Sequence, residues 1–460
     1  MAFPAGYTKY QEITIDNTKV SADLTDYVVY VDLADLVKAG ADVFDTCRTD
    51  GGDLRATKSD GTTELPIEVV AIDTTAKTGE VHIKISGTTS SSTDTVIRLY
   101  YNGTDTAVAV GATYGRNAVW SDYLRVYHMN ESSGAAIDST GNNNGVYEGN
   151  LPNAVAGQIG NTQDLDGIGD YVSSTGVQTV QNADFTVSAW FKTSAPVLAR
   201  VLGGRDSNAD FVSFLIQSSG EMRLRRYNGN TTDNDDFTTN GSYNDNSFHL
   251  THAVYDISAA GTSSAMKLYV DGNDDTSTST ISNTGTSDAF GISEDLYLGA
   301  RNLSGSADSN WDGLLGEIRI IANKLSANHI PTEYNNQNSP STFYSSSAET
   351  GSTSSVSFDA SPLTATFSIP AYTPQTGTTE SVSPLTATFS IVAATTSAGT
   401  TQTASPLTAT FSIPPNTVDL PDYEFSASPL TATFSQPAFT ISTSSAYAAA
   451  VLSAVFSIPT

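Results

Sequence analysis

From Tyr7 to about Asn117, apolar and polar residues alternate in short runs: Glu12-Ile13-Thr14-Ile15, Tyr27-Val28-Val29-Tyr30-Val31, Val81-His82-Ile83-Lys84-Ile85 and Val96-Ile97-Arg98-Leu99-Tyr100-Tyr101. A period of two gathers one set of side chains on a single face, as half-buried strands require. Turn clusters such as Thr49-Asp50-Gly51-Gly52-Asp53 and Ser59-Asp60-Gly61 separate the runs. That spacing predicts a β-sandwich over 1–117, with one short helical turn from Asp35 to Lys38. The same texture continues over 118–344. Strands are expected around 123–128, 185–192, 211–217, 222–227, 249–255, 266–270, 296–298 and 318–321. Asp271-Gly272 reads as a hairpin turn, and 326–334 is the best helix candidate.

The pattern changes after a Ser/Thr/Gly-rich stretch, 345–355, that reads as a linker. The octet Ser361-Pro362-Leu363-Thr364-Ala365-Thr366-Phe367-Ser368 recurs from Ser383, Ser405 and Ser428, and a degenerate fifth copy starts at Ala450. Each copy places Leu, Ala and Phe on one face and Thr, Thr and Ser on the other, so it reads as a one-sided strand. Twenty-odd residues cannot close a core alone. The copies over 356–460 are therefore expected to bury their Phe face against one another or against a neighbouring chain, as a shaft or an assembly tail. The fold class expected for the whole is all-β: two β-sandwich (jelly-roll) domains plus a C-terminal repetitive β region.

Composition narrows the partners. Charged residues are only 15% of the chain, so Thr, Ser, Asn and Gly must supply its polar surface, which favours strands and turns. A net charge of −28 argues against nucleic acid and against attraction to anionic membranes. The lone Cys47 allows no intrachain disulfide and reads as a small buried or half-buried residue. The opening MAFPAGYTKYQEITID has neither the basic start nor the apolar stretch of a Sec signal, and no run of 18 apolar residues suggests a membrane helix. An extracellular composition without such a leader leads to the expectation of a virion protein.

Two resemblances add to this. Tyr10-Gln11-Glu12-Ile13-Thr14-Ile15-Asp16, the run Gly52 to Pro66 and Ser91 to Tyr101 resemble DUF2341, a domain of unknown function expected to be a β-sandwich. The middle region resembles concanavalin A-like jelly rolls of the laminin G or pentraxin type. The residues that carry this are Val126-Tyr127-His128-Met129-Asn130-Glu131, Leu165-Asp166-Gly167-Ile168-Gly169-Asp170-Tyr171-Val172, Phe185 to Phe191, Leu268-Tyr269-Val270-Asp271-Gly272 and Trp311 to Ile320. Where that family usually has Asp, this chain has Glu317. The resemblance implies binding of glycans or proteins, often beside Ca²⁺, and the pairing of the two domains is similar to phage structural proteins and modular surface adhesins.

Candidate chemistry is sparse. A jelly-roll glycosidase needs two carboxylates on one strand face, in a Glu-x-Asp-x-x-Glu arrangement, and no such run occurs, so no enzyme activity is expected. His249 and His252 are three apart, which on a strand puts them on opposite faces and argues against a shared metal. Asp166 and Asp170 flank a glycine-rich turn and Asp312 precedes another, so these three are the candidate ligands for a structural Ca²⁺. Tyr227, Tyr243, Asn244 and Trp311 are the candidate sugar-binding residues, with rings to stack and an amide for hydroxyls. Trp190 alternates with core positions and is read as core. The expected function is a non-enzymatic virion structural or surface protein, such as a capsid or tail fibre or a decoration. Self-association through the repeats, contact with other virion proteins and a host-surface glycan or protein as ligand are expected. The alternative is a cellular surface adhesin or extracellular filament subunit, and a polysaccharide-acting enzyme is the third reading.

Overall fold

The computed structural model describes residues 6–175, 183–205, 211–228, 233–259, 262–281, 295–303 and 305–351, and strand segments between 402 and 441. The chain is all-β, with a few short helices. It divides into two compact units, Met1–Ser352 and Thr353–Thr460.

Within the first unit, the first sandwich faces a six-stranded sheet against a three-stranded one. The larger sheet runs Tyr344–Ser346, Lys9–Ile15, Thr95–Tyr101, Arg55–Lys58, Glu64–Leu65, with Thr350–Gly351 also paired to Lys9–Ile15. The smaller sheet runs Val28–Asp32, Thr78–Lys84, Ile67–Asp73. Alternation does what the sequence pattern requires: Ile13, Ile15, Ile97 and Leu99 from one sheet meet Val29, Val31, Val81 and Ile83 from the other in one buried core. Cys47 packs half-buried beside this core, and burial pushes its thiol up to about 12.

The stretch read as a linker from 345 begins as structure. Tyr344–Ser346 and Thr350–Gly351 close onto the first strand of the chain, and Phe343 and Tyr344 enter the first core. A Ser/Thr-rich stretch can serve as a sheet-edge strand, because its polar side chains stand in solvent while its backbone joins the ladder.

The second sandwich packs two eight-stranded sheets face to face. One runs Ala154–Ala156, Asn161–Asp166, Asp312–Ile321, Phe185–Lys192, His249–Tyr255, Met266–Val270, Asn273–Asp274, with Tyr123–Tyr127 beside Asp312–Ile321. The other runs Val146–Glu148, Tyr171–Ser174, Leu296–Leu298, Ala199–Arg205, Phe211–Ile216, Met222–Asn228, Asp233–Thr239, Thr276–Ile281. Val172, Leu298, Phe214, Leu224 and Phe237 from the second sheet meet Val187, Ala189, Phe191, Leu315 and Ile318 from the first.

The outer face of that first sheet packs on the first sandwich. Tyr30 joins Ile159, Trp190 and Leu250 in one apolar cluster, so Trp190 is buried, at the junction between the sandwiches. The helix comes slightly later than the pattern suggested, at His329–Asn338. Its Asn336 side chain accepts from the Tyr30 N–H at 2.8 Å and donates to the Tyr30 carbonyl at 2.9 Å. One amide thereby closes the free edge of Val28–Asp32.

In the second unit, the third and fourth octets pair with each other. Thr408–Ile413 runs antiparallel to Leu430–Ser435, and between them Thr417–Leu420 pairs with Tyr423–Ser426. Gln402–Thr403 pairs with Thr440–Ile441 outside them. The first, second and fifth copies lie outside the described residues.

Candidate functional site

The outer face of the second eight-stranded sheet carries chemistry that its inner face does not. Inter-strand register sets Ser173, Tyr297, Gly203, Ser213, Arg225 and Asp236 in one row across five neighbouring pairs. A second row holds Arg200, Leu215, Arg223 and Thr238. Tyr171 stands beside Tyr297, with ring centroids 4.5 Å apart. The three strand steps from Tyr297 to Arg225 span roughly 14 Å, the reach of two or three sugar rings.

Four arginines converge here on a chain whose net charge is −28. Arg223 is held bidentate by Asp236, and Arg225 Nε lies 3.7 Å from the same carboxylate. Arg301 is held bidentate by Asp308 on the hairpin Arg301–Leu303/Ser306–Asp308. That hairpin crosses at Gly203, where an added Cβ would come within 3.0 Å of the Arg301 Cα. Arg200 is 7% exposed and donates to Ser213 Oγ, while its Nε has no hydrogen-bond partner. Among the described residues no carboxylate lies within 4.0 Å of it. Burial, followed by the neighbouring charges of Arg301, Arg225 and Arg223, brings its guanidinium down to about 10, with Asp308 opposing. Burial and Tyr171 push the Tyr297 hydroxyl up to about 12. Asp236 and Asp308 pair with Arg223 and Arg301, Glu148 accepts from Ser173 Oγ at 3.2 Å at the far end of the row, and among the described residues Arg200 is a buried cation without a carboxylate in contact.

The residues expected from sequence are distributed differently. Tyr227 lies on the strand Met222–Asn228 of this same sheet, and its side chain is outside the described residues. Tyr243 is half-buried, donates to Asp275 Oδ2 at 2.6 Å and packs edge-on to His249 at 5.0 Å. Asn244 is half-buried beside it in the loop after Asp233–Thr239. Trp311 was expected to offer its ring to a sugar, in or beside a polar loop. Instead it is fully buried in the sandwich core, against Phe191 at 5.5 Å, and offers no ring face to a sugar. Its neighbours explain the correction, because Trp311 opens the strand-forming run through Ile321, whose Leu315, Ile318 and Ile320 share the same core.

Asp166, Asp170 and Asp312 do meet at one sheet edge, with Asp166 and Asp312 directly opposed. The oxygens of Asp166 and Asp170 are spent on backbone and amide donors. Asp170 accepts from the N–H groups of Asn150 at 2.6 Å and Asp166 at 3.2 Å, and Asp166 accepts from Ile168 N–H at 2.7 Å and Asn150 Nδ2 at 2.9 Å. A calcium ion wants several convergent oxygens free of donors. Ile168 closes an Asx turn on Asp166 and Asn150 ties Asp166 to Asp170, so these two carboxylates do not fit that ion.

His249 and His252 do serve opposite faces. His249 sits between Asp271, at 2.8 Å, and Asp245, at 3.1 Å, whereas His252 meets Glu333 of the helix at 2.9 Å.

Residues 166–331 match the family model described as the concanavalin A-like lectin/glucanases superfamily. The second sandwich therefore contains a domain of this kind. No curated protein matches the chain. Among solved structures, domain 4 of AbnA, a GH43 extracellular arabinanase from Geobacillus stearothermophilus in complex with arabinotriose, is 19% identical; the alignment covers 46% of this chain and 98% of that one, with a TM-score of 0.36. The CBM40 of Ruminococcus gnavus IT-sialidase bound to alpha2,6 sialyllactose is 14% identical over 33% of this chain and 83% of that one, with a TM-score of 0.26. The native heptameric SAP-like pentraxin from Limulus polyphemus is 14% identical over 34% and 74%, also with a TM-score of 0.26.

Sequence reasoning missed the arginine face. Arg223 and Arg225 are two apart and so share a strand face, but Arg200 and Arg301 reach it only through strand pairing across a hundred residues.

Proposed function

We propose that this chain is a non-enzymatic surface protein whose jelly roll binds a glycan carrying negative charge, and that its repeats serve assembly, on a virus particle. Arg200 carries the binding reading: a buried guanidinium, ringed by Arg223, Arg225 and Arg301, with no carboxylate within 4.0 Å among the described residues. A lone buried charge is costly, and a carboxylate or sulfate on a ligand would supply what the protein omits. On the same face half-buried Tyr171, backed by the buried ring of Tyr297, offers stacking for a sugar. The pairing of consecutive octets supports the assembly role, since each one-sided strand needs a partner.

The binding test is an array of carboxylated and sulfated glycans beside neutral ones of equal length, followed by titration calorimetry. Binding of the anionic set, weakened tenfold or more by Arg223→Gln or Arg225→Gln, is expected. Selection of neutral glycans alone would remove the charge reading, and no binding at all would remove the glycan reading. Mass spectrometry of purified particles tests the setting: chain recovered only from a cell envelope moves the protein to the adhesin reading.

A further inference from the structure

A second cluster lies between the two sandwiches, away from the arginine face. We propose that Glu80, His82, His128 and Glu317 hold a divalent first-row metal ion of the zinc kind, which staples the first sandwich to the second. One ligand atom from each of the four lies within 4.8 Å of the others, and among the described residues no other group of His, Cys, Asp and Glu gathers in this way. Glu80 Oε1 is 3.0 Å from His82 Nε2 and 3.4 Å from His128 Nδ1, and Glu317 Oε1 is 2.7 Å from His128 Nδ1. Four ligands about 2.0–2.1 Å from a tetrahedral ion stand about 3.3 Å apart. The set of two imidazoles and two carboxylates suits that class of ion.

The strands explain the convergence. Glu80 and His82 are two apart on Thr78–Lys84, so they share a face. Glu317 sits at a bulge, with φ of 50°, where pairing to Phe185–Lys192 slips between Ser188 and Trp190. Leu315 faces the sandwich core, and so do Ile318 and Ile320; the slip lets Glu317 and Arg319 face the junction together.

Neighbouring side chains already hold two of these four in place. His128 Nε2 meets Glu68 Oε2 at 3.2 Å, leaving Nδ1 for the ion, and Glu68 in turn accepts from Ser139 Oγ at 2.7 Å and from the Trp120 indole. Arg319 donates to Glu317 Oε2 at 2.7 Å, leaving Oε1. Such carboxylate–histidine pairs fix the ring and raise ligand basicity. Glu80 Oε2, on a side chain 2% exposed, has no hydrogen-bond partner.

The charge count points the same way. Glu68, Glu80, Glu317 and Glu333 are all buried in this network, and among the described residues Arg319 is the permanent cation paired with two of them, Glu317 and Glu333. A divalent ion would place its positive charge beside Glu80, which no arginine or lysine reaches among the described residues. A cavity of about 540 Å³ between the sandwiches reaches this network at Glu68, Ser139 and His128, and its lining also includes Arg55, Arg116 and Glu131. The ion's role is structural, since its ligands come from both sandwiches.

The test uses the full chain, produced in zinc-supplemented medium and passed through metal-free buffer. Elemental analysis is expected to find about one zinc per chain, and cobalt replacement to give the intense visible absorption of a four-coordinate site. His82→Gln should lose the ion, whereas His249→Gln, on the second sandwich, should retain it. Wild-type chain that holds neither metal, a weak six-coordinate cobalt spectrum, or equal retention by His82→Gln overturns the proposal. If His82→Gln does not fold, wild-type stoichiometry and the cobalt spectrum decide it alone.

Discussion

At the scale of single residues, the most consequential side chains are polar ones facing backbone or each other. Asn336 satisfies both the N–H and the carbonyl of Tyr30 inside the junction. Asn336→Ala strips a donor and an acceptor at once, and chemical denaturation should show a loss on the order of 2 to 4 kcal/mol. Trp311→Ala should cost about 3–5 kcal/mol, the penalty of a core cavity and not of a lost sugar contact, and it should leave glycan affinity of the remaining folded protein unchanged. His249 gives the clearest pH signature. Burial works against its protonated form, but the hydrogen bond and charge of Asp271, then those of Asp245, outweigh burial and raise its pKa above the ordinary value. A raised folded-state pKa means the contribution is complete below the unfolded value near 6.5 and fades as pH rises through the folded one. Thermal melts of His249→Gln and wild type should therefore differ most in mild acid and converge at alkaline pH. Equal differences at both ends would sink the assignment.

At the scale of elements, strands were legible because the period of two survives in nearly every run, whereas the arginine face and the Glu80–His82 pair went unread because a shared strand face gains meaning only from the strands packed against it. The misreadings came from elements that cross between layers. Trp311 looked like a loop residue because Asp312 and Gly313 follow it, yet the strand behind them carries it inward. The run 345–351 looked like a tether because composition does not reveal an edge strand. That strand makes a prediction of its own. Truncation after Ser352 should leave the melting of the first unit intact. Truncation after Ser339 removes Phe343 and Tyr344 from the first core as well as two edge strands, and the loss should reach at least the 3–5 kcal/mol of a buried Phe alone. Circular dichroism melts of the two fragments check this.

At the scale of the whole molecule, the sequence showed two sandwiches and a repetitive tail, but not that the sandwiches share a junction. No pattern announces that Glu68 and Glu80 will meet His128 and Glu317, because the contact joins segments up to 249 residues apart, as the Glu68–Glu317 separation shows. The fragment 1–117, expressed alone, lacks Trp120, His128, the closing helix and the returning strands. It should be insoluble or partly folded, while 1–352 should melt as one cooperative transition. The return of the chain has a mechanical corollary. Lys9 lies opposite Gly351, so entry and exit of the first unit sit side by side on one sheet edge. Tension running along the polypeptide would therefore load the Lys9–Gly351 and Tyr10–Thr350 rungs first and then the pairs of Ile13–Ile15 with Tyr344–Ser346, while Thr95–Tyr101 still grips the other side of the same strand. The returning edge strand is thus a clasp that would peel before the strand it closes on, and the second sandwich, with its arginine face, lies outside that first line of loading.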